Sequence, residues 1–237
     1  MESSLFFRHP CNLFISGPSG SGKTQFVKQL IEYKLELFQP VPQKIVWCYK
    51  EWQTVYAQLQ ESQGHLITFV QGIPEDEEEL VSDVNVPHLL IFDDMLGEKE
   101  EEEIKLWFTR KGHHRNASVI FITQNLFQQS KASRTLSLNA HYMILFQNSR
   151  DKGQIKVLSQ QVQLPHLMYA YQDATSIPHG YLVIDFHPRT PDEFRLRTDI
   201  FHHWKTHEDR GPIVYTPASF RIPMLFDKLD DLYKEKI

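Results

Sequence analysis

The chain has 237 residues, a formal net charge of −5, and contents of 41% hydrophobic and 12% aromatic residues. That length suits one α/β domain with an appendage, and the hydrophobic content excludes a chain that is disordered by composition. A dedicated DNA-binding domain is usually basic, so the acidic balance gives no support for nucleic-acid binding, although a ring of subunits can still place a few basic side chains in a central channel.

The cysteines and the lengths of the apolar runs indicate where in the cell the protein is expected. Cys11 and Cys48 belong to no C-x-x-C pair, so the sequence predicts neither a zinc ribbon nor a disulfide framework. No apolar run is long enough for a signal peptide or a transmembrane helix. We therefore expect an intracellular, soluble protein that has no membrane partner.

Short apolar runs of strand length alternate with longer helical stretches along most of the chain. The runs are near-continuous rather than alternating, which is typical of strands that are buried on both faces of a parallel sheet. The predicted strands are Asn12–Ser16, Lys44–Tyr49, Leu66–Val70, His88–Phe92, Ser118–Thr123, His141–Phe146 and Tyr181–Phe186. The predicted helices are Lys23–Phe38, Glu98–Lys111 and Gln154–Val162. This order predicts an α/β fold with a doubly wound, mostly parallel sheet.

The pattern becomes irregular and rich in proline from Pro188 onward. We expect a core over residues 1–190 and a small irregular C-terminal appendage over residues 191–237. A short charged helix is predicted near Asp227–Lys236, at the end of that appendage.

A G-x-x-x-x-G-K-T loop joins the first predicted strand to the first predicted helix. Its residues are Gly17, Pro18, Ser19, Gly20, Ser21, Gly22, Lys23 and Thr24. The glycines let backbone N–H groups turn inward around phosphate oxygens, and the helix N-terminus adds partial positive charge. In such a loop the lysine reaches the β- and γ-phosphates, and the threonine hydroxyl ligates Mg²⁺. We therefore expect these eight residues to bind ATP, with Lys23 acting in catalysis and Thr24 on the metal.

The strand His88–Phe92 runs directly into a pair of aspartates, Asp93 and Asp94. A buried strand that ends in a carboxylate is the partner that a phosphate-binding loop requires. We expect Asp93 to hold Mg²⁺ together with Thr24, and Asp94 to polarise the attacking water. Many ATPases of this type carry Glu at the second position, and Asp is shorter by one methylene.

The strand Ser118–Thr123 leads into Gln124 and Asn125, and a basic turn precedes it. A polar side chain at the end of a strand beside the loop strand can touch both the γ-phosphate and the water, so Gln124 is the predicted sensor. An arginine of the basic turn could reach a neighbouring subunit's γ-phosphate as a catalytic finger. Arg115 is the first candidate and Arg110 the second. Further candidates for this finger are Arg134 and Arg150.

These motifs together resemble a known family. GPSGSGKT, LLIFDD, HHRNASVIFITQNLF and SRTLSLNAHYMILFQNSRD resemble the genome-packaging ATPases of Polinton/Maverick elements, adintoviruses and related large DNA viruses, which belong to the FtsK–HerA superfamily. The later segment YLVIDFHPRTPDEFRLRT is similar to the C-terminal signature of the Polinton-type proteins. The resemblance covers roughly residues 8 to 200, and residues 113–151 are its most specific part.

The resemblance implies a RecA-like core of the additional-strand type, in a homo-oligomeric ring that moves double-stranded DNA into a preformed capsid. It also implies that capsid proteins are possible partners and that the protein acts in the host nucleus or at the virus assembly site. By position, Lys23 and Thr24 match the Walker A pair, Asp93 and Asp94 the Walker B pair, and Gln124 the glutamine that ends the fourth core strand. Arg115 matches the family's arginine approximately.

Other functions remain open from the sequence. A GTPase needs an N-K-x-D motif, which the sequence lacks, and a small-molecule kinase needs an arginine-rich lid and an acceptor pocket, which are not evident. A DNA helicase or translocase would use the same motifs. A third possibility is a nucleotide-binding scaffold, or a domesticated copy, that has lost its motor role. All of the motif residues are intact, which argues against such decay.

Overall fold

The computed structural model describes residues 6–95, 97–126, 131–149, 152–164, 166–201, 210–216 and 222–225. The chain divides into two compact units, Phe7–Tyr142 and Met143–Ile237 together with Met1–Phe6. The boundary expected between residues 190 and 191 stays a prediction. None of the helices in the described residues has the length and hydropathy that are needed to cross a membrane.

The unit Phe7–Tyr142 alternates strands with helices along the chain. Its strands are β1 (Phe7–Arg8), β2 (Asn12–Ser16), β3 (Phe38–Gln39), β4 (Lys44–Tyr49), β5 (Ile67–Gln71), β6 (His88–Asp93) and β7 (Ala117–Thr123). Its helices are α1 (Lys23–Glu32), α2 (Lys34–Leu37), α3 (Thr54–Gln63), α4 (Glu77–Leu80), α5 (Glu98–Leu106), α6 (Gly112–His114) and α7 (Lys131–Leu138). A π-helical segment, Trp107–Lys111, connects α5 to α6.

Five strands of this unit form a parallel sheet in the order β5-β4-β6-β7-β2. Every residue of β2, β6 and β7 is buried, which explains their near-continuous apolar sequences. β7 lies between β2 and β6 and pairs with both of them. The strand that leads into the glycine-rich loop and the strand that ends in aspartate are therefore separated by one additional strand, as the additional-strand fold requires.

The predicted strands of the sheet agree closely with the structure. β2 and β4 have the predicted bounds, and the bounds of β5, β6 and β7 differ from the predicted ones by one residue. The predicted helix Lys23–Phe38 is interrupted at Tyr33, whose N–H closes α1 by donating to the carbonyls of Gln29 and Ile31. The helix α3 was not predicted, because its apolar positions are few and lie among glutamines and other polar residues.

The second unit also contains both strands and helices. They are β8 (Tyr142–Phe146), α8 (Lys152–Val162), α9 (Leu167–Ala174), β9 (Tyr181–Asp185), β10 (Leu196–Thr198), β11 (Arg210–Val214) and β12 (Ile222–Leu225). β10 pairs antiparallel with β9 and β11, and β11 pairs antiparallel with β12. The region expected to be irregular thus contains three short strands. The charged helix predicted near Asp227–Lys236 lies outside the described residues.

A buried ion pair fastens β9 to β10 in this unit. The Arg197 guanidinium donates to Asp185 Oδ2 at 2.9 Å, and both side chains are almost fully buried. Thr190 donates to the same oxygen at 3.0 Å. Removing one partner would leave an uncompensated buried charge, so loss of either side chain should strongly destabilise this unit.

Candidate functional site

The loop between β2 and α1 is a tight turn at the carboxyl end of the sheet. Gly17 N–H donates to the Thr123 carbonyl at 3.3 Å, which ties the start of the loop to the end of β7. Gly20 has φ +76° and Gly22 has φ +106°, values that L side chains rarely adopt. These two glycines let the backbone curl back before α1 begins, so its first N–H groups face the loop.

The Lys23 side chain folds over this loop. Its Nζ donates to the carbonyls of Gly17 at 2.6 Å and Pro18 at 3.0 Å. Burial lowers the pKa of Lys23, and the negative charges of Asp93 and Asp94 oppose that shift. A cationic group is thus held at the mouth of the loop by weak carbonyl acceptors that a more strongly charged ligand could replace.

Asp93 ends β6 as a buried carboxylate, with 4% of its surface exposed. Its Oδ2 accepts a hydrogen bond from the Tyr56 hydroxyl at 2.8 Å and lies 3.5 Å from the Thr24 hydroxyl. Burial raises the pKa of Asp93 to about 6, although the hydrogen bond from Tyr56 favours the ionised form. Burial also raises the pKa of Tyr56, so its hydroxyl remains a donor at neutral pH.

Asp94 and Gln124 meet beside Asp93. Asp94 has φ +56°, a left-handed conformation that is uncommon for a residue other than glycine, and its N–H donates to the Ile122 carbonyl at 3.2 Å. The Gln124 amide donates to both carboxylate oxygens of Asp94, at 3.2 and 3.4 Å. Backbone strain of this kind is often found at functional sites, where the surrounding structure enforces it.

Five predicted site residues therefore lie at one edge of the sheet, because β2, β7 and β6 are neighbours and parallel. They are Lys23, Thr24, Asp93, Asp94 and Gln124. Within the described part of the chain, no group of three His, Cys, Asp or Glu side chains could hold a metal ion by itself. A Mg²⁺ ion here would need further oxygen ligands from water or a phosphate, which is its usual mode of binding.

Arg115 lies at the opposite end of the sheet, just before β7 begins. Its guanidinium pairs with Glu77 at 2.8 Å, and Lys111 reaches the same carboxylate at 3.1 Å. A seven-residue strand spans about 20 Å, so Arg115 is far from the loop of its own chain. Exposed Arg110 lies at the same end as Arg115.

The other predicted residues lie apart from this group. Arg134 is exposed on α7, and Asn125 follows Gln124 without a regular element. Arg150 lies outside the described residues.

Tyr56 is the site residue that the sequence did not reveal. It belongs to no recognisable motif and lies 37 positions from Asp93 in the chain. A hint is available in the spacing of Val55, Tyr56 and Leu59, which are the buried residues of α3. That spacing predicts a buried face but gives no indication that the phenolic oxygen would meet a carboxylate.

The structure has the fold of the RecA-like P-loop NTPases. It is similar to the cytoplasmic domain of the type VII secretion ATPase EccC from Thermomonospora curvata, with 12% identity and a TM-score of 0.50, over 76% of this chain and 24% of that chain. It is also similar to a KaiC-like protein from Pyrococcus horikoshii, with 15% identity and a TM-score of 0.46, over 88% of this chain and 91% of that chain.

The family follows from the sequence. The model of the Poxvirus A32 protein family matches residues 2–162, and the chain belongs to this family. A search of curated protein sequences finds no match. A member of this family therefore has the RecA-like P-loop fold, with the glycine-rich loop and the aspartate-ended strand at one edge of its sheet.

The raised pKa of Asp93 predicts a pH-dependent cost to stability when Mg²⁺ is absent. Since the folded chain binds this proton more tightly than the unfolded chain, the free energy of unfolding should fall as pH rises from about 4 to about 6. Above the folded pKa, Asp93→Asn should be more stable than wild type by about 3 kcal/mol, and below pH 4 the two should be equal.

Urea denaturation in EDTA across this pH range measures the difference. Asp185→Asn is unsuitable as a control because it breaks a buried ion pair, whereas Glu61→Gln changes an exposed carboxylate on α3. A difference between wild type and Asp93→Asn that stays constant with pH would contradict the assignment of the buried charge.

Proposed function

We propose that the chain is an ATP-driven motor that packages double-stranded viral DNA into a capsid, hydrolysing ATP as a homo-oligomeric ring. The observation that carries this proposal is the meeting of Lys23, Thr24, Asp93, Asp94 and Gln124 at one edge of the sheet. Membership of the Poxvirus A32 protein family supports a viral role. Capsid proteins are its further binding partners, and it acts at the virus assembly site.

ATP would bind with its phosphates in the loop that runs from Gly17 to Thr24. Backbone N–H groups and the N-terminus of α1 supply donors for the phosphate oxygens. Lys23 would exchange two neutral carbonyl acceptors, those of Gly17 and Pro18, for charged phosphate oxygens. That exchange strengthens its hydrogen bonds, because a phosphate oxygen carries negative charge and adds Coulomb attraction to its contact with the ammonium group.

Thr24 and Asp93 would hold Mg²⁺, since their oxygens already lie 3.5 Å apart. When bound, the ion neutralises charge on the phosphates and orients them. The lack of a complete cage of protein ligands in the described residues fits a cation that arrives with its nucleotide.

Asp94 and Gln124 would orient the attacking water, and Asp94 would accept its proton. The Gln124 amide holds the Asp94 carboxylate through both of its oxygens, which restricts rotation of that short side chain. Asp94 then accepts a hydrogen bond, and finally the proton, from a water in line with the γ-phosphate. Gln124 lies at the end of the strand beside the loop strand, where it would also be placed to contact the phosphate.

Arg115 would serve a neighbouring subunit rather than its own. Its partner Glu77 is partly exposed, and an ion pair of this kind contributes only about 0–1 kcal/mol. The γ-phosphate of a neighbour can therefore replace Glu77 at small cost. A ring in which each Arg115 meets the next nucleotide would make hydrolysis depend on assembly.

Replacing Lys23 tests the nucleotide site itself. Lys23→Ala should reduce ATP hydrolysis by about 100-fold or more, because about 3 kcal/mol of charge-assisted contact to phosphate is lost. The measurement is steady-state ATPase activity with and without double-stranded DNA. Lys28→Ala is the matched control, since Lys28 lies on the same helix and pairs with Glu32 at the surface. Near-normal turnover by Lys23→Ala would overturn the proposal.

Replacing Arg115 tests the ring. Arg115→Ala should leave ATP binding nearly unchanged and remove most DNA-stimulated hydrolysis, because a finger acts on transition-state charge and contributes about 10³–10⁵ in rate. Mixed with Lys23→Ala subunits, it should recover some activity, since one subunit supplies the arginine and the other the intact loop. The comparison is Arg110→Ala, an exposed arginine at the same end of the sheet. If only the mixture of Arg110→Ala with Lys23→Ala subunits recovers activity, the catalytic arginine is Arg110. If neither mixture recovers activity, hydrolysis does not depend on an arginine from a neighbouring subunit.

A further inference from the structure

A tyrosine outside every sequence motif contacts the carboxylate that ends β6. Tyr56 lies in the first turn of α3 and is fully buried. Its hydroxyl donates to Asp93 Oδ2 at 2.8 Å, a closer contact than the 3.5 Å that separates the same oxygen from the Thr24 hydroxyl. Tyr56 is therefore the nearer of these two partners of the Asp93 carboxylate.

An aromatic cluster fixes the position of the Tyr56 ring. The ring centroids of four neighbours lie 5.2 to 5.6 Å from it, and these neighbours are Trp47, Tyr49, Trp52 and Phe69. Trp47 and Tyr49 belong to β4, which pairs with β6, and Tyr49 is the register partner of Asp93. Because the ring is packed on several sides, its hydroxyl has little freedom to leave Asp93.

We propose that Tyr56 is a positioning residue that holds the Asp93 carboxylate in the orientation needed for Mg²⁺. This inference rests on the proposed function, because it assigns Tyr56 a role at the same metal site. A carboxylate can rotate about its last bond, and each orientation presents different oxygens to a cation. With Oδ2 bonded to the phenol, the rotation is restricted and the carboxylate is already aligned when the ion arrives.

The strength expected of such a contact follows from known metal sites. Partners that orient a metal-binding carboxylate typically change metal affinity or activity by about 10- to 100-fold when they are removed. Tyr56→Phe deletes the hydroxyl and keeps the ring, so the aromatic cluster retains its packing. A purely structural role for the hydroxyl would change the stability of the chain without altering its requirement for Mg²⁺.

The test is a Mg²⁺ titration of nucleotide binding by the full chain, with a fluorescent non-hydrolysable ATP analogue as the probe. Tyr56→Phe should raise the Mg²⁺ concentration at half-maximal binding by about 10-fold or more. Binding of the same probe in EDTA should stay at the wild-type level, since the loop and Lys23 are unchanged. Tyr49→Phe is the matched control, because it removes a hydroxyl from the same cluster.

Each outcome decides the inference. A Mg²⁺ midpoint for Tyr56→Phe equal to that of wild type and Tyr49→Phe overturns it. Equal weakening of binding with Mg²⁺ and with EDTA also overturns it, because that result describes general damage to the site. If wild type itself shows no Mg²⁺-dependent binding, the proposed function fails first, and the role of Tyr56 fails with it. Thermal unfolding of both variants in EDTA separates these effects from loss of fold.

Discussion

The parallel alignment of β6, β7 and β2 determines where the site lies. A parallel sheet brings the carboxyl ends of its strands to one edge, and each of these three strands is followed there by a polar or glycine-rich segment. β7 separates the other two by one strand width, which places Gln124 between the loop and the aspartates. The same alignment places Arg115, which precedes β7, at the other edge, and this is why we propose that it serves the nucleotide of a neighbouring subunit.

Several residues of the site are in unfavourable states that lower the stability of the fold, and favourable packing elsewhere offsets them. Asp93 is a buried carboxylate with a raised pKa, Lys23 is partly desolvated, and Asp94 has a left-handed backbone. Local rules of stability are most often broken at functional positions. A phosphate and a cation would relieve two of these costs, because they give Lys23 a charged acceptor and Asp93 a positive neighbour. The unfavourable features are thus consistent with a site that is completed by its ligand.

Much of this arrangement could be predicted from the sequence because its signals are local. Buried parallel strands are continuous apolar runs, and the glycine loop and the aspartate pair each follow such a run directly. The short strands β10 and β12 gave no comparable signal, since β10 has only three residues and β12 has four, one of which is Pro223. The contacts of Tyr56 with Asp93 and of Arg115 with Glu77 join residues more than 35 positions apart. Only the fold brings such pairs together. The Polinton relationship and the ring remain predictions.

The most direct test of the proposed nucleotide site is a crystal structure of the chain with Mg²⁺ and a non-hydrolysable ATP analogue. We expect phosphates in the loop from Gly17 to Thr24, with Lys23 Nζ moved from the carbonyls of Gly17 and Pro18 onto phosphate oxygens. We also expect the cation beside Thr24 and Asp93. A nucleotide bound elsewhere, or a Lys23 that still contacts the two carbonyls when the loop is filled, would show that this loop is not the nucleotide site.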